Sequence, residues 1–122
     1  PIRSGRELAA LVERVVGRRG RLHPATRIFQ ALRIYVNREM EHLERLLSFL
    51  VEVLNEGGRF VALSFHSIED RMVKVALREY ARRGLMRVLT RKVVRPDEEE
   101  VRANRRARSA RLRAAERLLC GL

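Results

Sequence analysis

Cysteine is nearly absent. Cys120 is the only one, so no internal disulfide can form, which suits a reducing cytoplasm. Its neighbours Leu118, Leu119 and Leu122 suggest packing or a loose end rather than thiol chemistry. Long apolar runs are missing too. The densest, Leu46 to Leu54, is interrupted by Ser48 and Glu52 and falls far short of the ~20 residues that span a bilayer, so no membrane partner is expected. No secretory leader is visible, and the expected compartment is the cytoplasm. Neither a G-x-G-x-x-G nor a phosphate-loop lysine motif occurs. His23, His42, His66 and Cys120 lack ligand spacing, so no metal site is expected. Ser67 has no nucleophile-elbow context. There is no internal repeat and no low-complexity segment.

What is present is positive charge. The 122 residues carry 27 Lys and Arg against 15 acids, a formal net charge of +12 that points toward polyanions. Only Lys74 and Lys92 are lysine, and arginine favours bidentate phosphate contacts; an arginine-rich genome explains the same count equally well. The charge is skewed: residues 1–58 are net +3 and residues 59–122 net +9. With 46% apolar residues the chain can build one modest core.

Periodicity orders the elements. Ser4 and Glu7 form a capping-box pattern ahead of Leu8, Leu11, Val12, Val15 and Val16, an amphipathic helix stopped by Gly17. A basic loop, Gly17 to Arg21, follows. A second helix opens near Pro24 and keeps helical spacing from Ile28 to Leu54, with a bend expected near Asn37, until Asn55-Glu56-Gly57-Gly58 ends it. Phe60 to Phe65 is a nearly continuous apolar run, which predicts an interior strand of a parallel sheet with His66 at its carboxyl end. Ser67 is the expected cap of the next helix, with Asp70 three residues on. Leu85 to Val94 reads as another strand. Pro96 and the acidic run Asp97 to Glu100 open a short helix, and residues 107–113 are a candidate final strand. The fold class is therefore α/β. The Phe60–Phe65 strand needs neighbours on both sides, and the chain supplies at most two further strands with incomplete covering helices, so the pattern predicts the end of a larger doubly wound domain; the start at Pro1 rather than Met separately hints at a fragment or a processed chain.

Three places carry candidate chemistry. His66 and Ser67, with Glu69, Asp70 and Arg71, follow the carboxyl end of the buried strand, where open α/β sheets bind ligands; for Ser67 and Asp70 simple helix capping explains the same residues. Arg105, Arg106, Arg108, Arg111 and Arg113 form a stripe suited to positioning RNA through its phosphates, or to discouraging aggregation at a solvated strand edge. Arg27, Gln30, Arg33 and Asn37 share a helix face, fit either for RNA or for a facing domain.

Three segments together resemble a known family. They are His23-Pro24-Ala25-Thr26-Arg27-x-Phe29-Gln30-Ala31-Leu32-Arg33-Ile34-x-Val36-Asn37-x-Glu39, Gly57-Gly58-Arg59-x-Val61-x-x-Ser64-Phe65-His66-Ser67-Ile68-Glu69-Asp70-Arg71-x-Val73-Lys74, and Asn104-x-Arg106-Ala107-Arg108-Ser109-Ala110-x-Leu112-Arg113. In order and spacing they are similar to the bacterial small-subunit (16S) rRNA cytidine N4-methyltransferases, the RsmH or MraW family, of which this chain resembles the C-terminal portion. The resemblance implies a Rossmann-like class I methyltransferase with a helical insertion. Residues 1–22 would be the tail of that insertion and residues 23–122 the last part of the catalytic domain, ending in antiparallel final strands.

It further implies S-adenosyl-L-methionine as donor, 16S rRNA in the small ribosomal subunit as partner, and in-line transfer to the exocyclic amine of a flipped-out cytidine in the decoding region. His66 and Ser67 would border the target-base pocket. Arg27, Arg33, Asn37, Arg71, Arg105, Arg106, Arg108, Arg111 and Arg113 are the RNA-facing candidates. The family's glycine-rich loop and acidic ribose-binding residue lie upstream of these segments, so no donor-binding residue carries over. The chain alone is expected to be inactive, lacking the N-terminal half of the same enzyme. Arg105 stands where the family usually has proline and Arg111 where it usually has lysine. A small basic RNA-binding module without enzyme activity, or one half of a split methyltransferase, are the alternative readings.

Overall fold

A computed structural model describes residues 1–119, so the reading of Cys120 lies outside the described residues. The chain forms two compact units, Pro1–Met40 and Glu41 onward.

In the first unit, helix α1 (Gly5–Val16) is capped by the Ser4 hydroxyl, which accepts from the Glu7 N–H at 3.2 Å. Only half of the capping box forms: the Glu7 carboxylate accepts from the Arg3 N–H instead. Gly17 ends the helix at φ 77°, a left-handed angle that glycine adopts without a Cβ clash. Helix α2 (Ala25–Asn37) packs against α1, with the Phe29 ring beside Gly5. His23 ties the two helices together. Its Nδ1 accepts from the Ala25 N–H at 3.1 Å, which places the proton on Nε2, 3.0 Å from a Glu13 carboxylate oxygen.

The expected bend near Asn37 is a full break. Arg38 adopts φ 52°, and helix α3 (Glu39–Val53) starts afresh. At the break Arg33 and Asn37 both turn their side chains to the Glu39 carboxylate.

The second unit is built on a three-stranded sheet. Strands β1 (Arg59–Ser64), β2 (Met86–Val88) and β3 (Arg111–Arg117) lie in the order β1-β3-β2, and β3 is antiparallel to both neighbours. It follows that β1 and β2 run parallel to each other, joined through helix α4 (Ser67–Arg82) with β3 set between them. This corrects the expectation of an interior parallel strand. β1 pairs with β3 alone, and its other edge has no partner among the described residues. Its burial also alternates: Phe60, Ala62 and Ser64 face inward, while Val61 and Leu63 are more than half exposed. A continuous apolar run cannot distinguish a strand covered on both faces from one whose second face lies bare.

The inward face carries the core. Leu47 and Leu50 of α3, Val73 and Leu77 of α4, Met86 of β2 and Ala115 of β3 form one buried cluster, with Phe60, Ala62 and Val88 against it. The Tyr80 hydroxyl closes the helix pair by donating to the Leu47 carbonyl at 2.6 Å. Tyr80→Phe removes that donor and should cost about 1 kcal/mol, read as a lower urea midpoint at unchanged m-value.

The other strand expectations shift. Leu85 to Val94 forms only β2 and a single bridge, Val94 to Leu112. Residues 107–113 split into a 3-10 turn over Arg105–Ser109 and the start of β3. The acidic helix is present as α5 (Glu98–Ala103), capped by the Asp97 carboxylate. The turn into β1 needs glycine twice: Gly57 sits at φ 77°, and a Cβ on Gly58 would meet the Asn55 carbonyl oxygen at 2.7 Å.

Candidate nucleic-acid interface

The carboxyl end of β1 runs directly into α4, and the cap there is His66. Its backbone is extended, and its Nδ1 accepts from the Glu69 N–H at 3.3 Å. This corrects the assignment of the cap to Ser67, which is instead the exposed first residue of the helix. As at α1, the third-position carboxylate accepts from the residue before the cap and not from the cap itself: the Phe65 N–H donates to Glu69 at 3.3 Å. A histidine ring nitrogen thus does the work usually given to a serine or aspartate oxygen. The His66 ring is buried, and its Nε2 makes no aligned hydrogen bond, lying 3.4 Å from a Glu69 carboxylate oxygen.

Asp70 does not cap the helix either. Its carboxylate is held by Arg113 in a bidentate pair, Nε to Oδ1 at 2.6 Å and a terminal nitrogen to Oδ2 at 3.0 Å. Both side chains are largely buried. The Arg113 hydrogen bonds hold the Asp70 carboxyl below its ordinary value of 3.8; burial opposes this, and the nearby charges of Arg113, Arg111 and Lys74 reinforce it. The pair links the first turn of α4 to the middle strand of the sheet.

The arginine stripe therefore divides. Arg113 is committed to Asp70 and is not a free cation for phosphate. Arg111 is half-buried at the start of β3. Arg105, Arg106 and Arg108 stand exposed on the 3-10 turn, which Asn104 caps by accepting from the Arg106 N–H. Lys74, Arg78 and Arg91 line a small recess of 40 Å³ beside Arg113, a basic feature that the linear sequence scattered over three elements. Arg71 lies on an open apolar groove of 580 Å³ between α3 and α4, with Met72, Val75 and Tyr80.

In the first unit Arg33 and Asn37 are occupied by Glu39, leaving Arg27 unpaired among the described residues. On the sheet face away from the helices, Glu116 of β3 accepts from Arg59 of β1 at 3.0 Å and from Arg87 of β2 at 3.1 Å, a cross-strand bridge over all three strands. Sequence reading missed it, because the three residues meet only once the register is known.

These features define an α/β protein with a small antiparallel sheet and unpaired arginines on both units. Residues 1–118 match the MraW methylase family, and the chain belongs to it. It is 51% identical over 134 residues to the ribosomal RNA small subunit methyltransferase H of Thermomicrobium roseum, covering 97% of this chain and 41% of that protein. The protein of the same name from Coprothermobacter proteolyticus is 50% identical over 113 residues, covering 93% of this chain and 38% of the relative. That from Acidobacterium capsulatum is 58% identical over 97 residues, 80% of this chain and 33% of the relative. The chain thus spans about two fifths or less of the length of these relatives. No helix among the described residues is long and apolar enough to cross a membrane.

A methyl donor such as S-adenosylmethionine carries a cationic sulfonium on an adenosine. The left-handed glycines, Gly17, Gly20, Gly57 and Gly84, lie at helix ends and loops, and none follows the carboxyl end of a strand.

Proposed function

We propose that this chain is the C-terminal portion of a methyltransferase that modifies the N4 amine of a cytidine in 16S rRNA, using S-adenosylmethionine held by an N-terminal portion outside this chain. Residues 1–22 close a helical insertion, and residues 23–122 are the last part of a Rossmann-like catalytic domain working in the cytoplasm. His66 and Ser67, at the carboxyl end of β1, border the target-base pocket. Arg27, Arg71, Arg105, Arg106, Arg108 and Arg111 face the small-subunit RNA.

The observation that carries this reading is the strand order. Two parallel strands joined by a helix, with an antiparallel strand set between them, form a sheet whose β1 edge is unpaired among the described residues. Further parallel strands on that edge would extend it into a doubly wound sheet, and the relatives have the additional length to supply them.

A chimera tests it. The N-terminal three fifths of the Thermomicrobium roseum protein, joined to this chain, should transfer methyl groups from labelled donor to a small-subunit cytidine. The 122-residue chain alone should show neither transfer nor saturable donor binding by calorimetry. A folded chimera that methylates nothing, or donor binding by the chain alone, refutes the proposal.

A further inference from the structure

The basic loop after α1 and the start of α2 line a half-open cleft of 550 Å³ within the first unit, inside the range of about 300–1,000 Å³ typical of ligand sites. Arg19, Arg21 and Arg27 line it, and none of the three has a hydrogen-bonding or ion-pair partner among the described residues. Their neighbour Arg18 differs: it lies 4.0 Å from the Glu13 carboxylate. Val16, Leu22 and Pro24 supply an apolar part of the remaining wall, and His23 and Thr26 a polar part. The attraction for an anion comes from the guanidinium groups and not from the helix end, because His23 already takes the first amides of α2: its ring accepts from Ala25 and its carbonyl from Thr26.

Three unpaired, planar, permanently charged forks lining one cavity suit the tetrahedral oxygens of a phosphate. The adjoining apolar wall suits a ribose or base. An acidic peptide would offer carboxylates to the forks but little to that wall. We propose that this cavity binds one nucleotide unit of single-stranded RNA, phosphate on the arginines and base or sugar on Val16, Leu22 and Pro24. The choice of RNA over a free nucleotide rests on the rRNA reading above; the anion site does not.

Fluorescence anisotropy with a short labelled single-stranded RNA and the 122-residue chain tests the site. Replacing Arg19, Arg21 and Arg27 together by alanine should weaken binding roughly tenfold and flatten the salt dependence by about one to two phosphates' worth, each worth about 0.7 in slope on a single strand. The three are exposed, so circular dichroism should be unchanged. Alanine at Arg6, Arg45 and Arg95, exposed and outside every recess described above, removes the same charge elsewhere and should change affinity less than twofold. Equal losses from both triple variants would mean diffuse attraction and would overturn the site.

Competition decides the ligand. Cytidine monophosphate should displace the RNA better than inorganic phosphate, and a glutamate-rich peptide should do worse than either. Phosphate matching the nucleotide, or the peptide matching the RNA, would overturn the nucleotide assignment. RNA that binds at this cavity while the chimera methylates nothing would keep the site and remove the rRNA-methylation reading.

Discussion

Asp70→Asn should cost the 122-residue chain about 3 kcal/mol of unfolding free energy, because removing one partner of a buried ion pair strands the other charge. The stranded group is Arg113, whose side chain is 14% exposed; Lys74 and Arg111 also draw on the same carboxylate. Without the carboxylate, the three cations that act on it lose their shared counter-charge. A stability of roughly 5–15 kcal/mol is ordinary for a domain, so the loss is a large fraction of the total. Asp70→Leu combined with Arg113→Met should recover most of it, since an apolar pair of similar volume needs no desolvated charge. Urea denaturation measures both. A single variant within 0.5 kcal/mol of the parent would show that the pair contributes nothing.

The same pair gives a pH dependence. The folded-state value of Asp70 lies below its ordinary 3.8, so its contribution is complete above that value. It is lost as pH falls from there through the lowered folded value. Acid unfolding of the parent should therefore be steeper than that of the Leu/Met double variant in that window, and equal slopes would count against it.

Val61→Asp should have two very different costs. In the 122-residue chain Val61 is 59% exposed on the face of the sheet away from the helices, and the substitution should stay within about 0.5 kcal/mol. In the chimera, where the proposed upstream strands and helices cover that face, the same aspartate is buried without a partner. It should then destabilise by several kcal/mol and abolish methyl transfer. Leu63, on the same face and 56% exposed, should behave alike. Equal small costs in both proteins would mean that the face stays bare, and the doubly wound sheet would be wrong.

Much of the architecture was legible in the residues. The apolar period of α1, the Gly17 stop, the strand at Phe60 and the acidic start of α5 are local signals, set within a few residues by cap chemistry and side-chain spacing. The cap at His66 was less legible, because histidine is not a preferred cap and Ser67 and Asp70 beside it are. The site divided in a similar way. A run of arginines announces charge, but the sequence does not say which of them an acid has already claimed.

Composition and local pattern by themselves determined the positive charge, the α/β class and the family resemblance, because each depends only on residues near one another or on their sum. Tertiary structure alone decided that Asp70 reaches forty-three residues along the chain to Arg113, that Glu116 bridges Arg59 and Arg87, and that Arg19, Arg21 and Arg27 line one cavity. It also decided that β3 inserts antiparallel between β1 and β2. Strand pairing and long-range ion pairs depend on register, and register is set by which faces the core buries together.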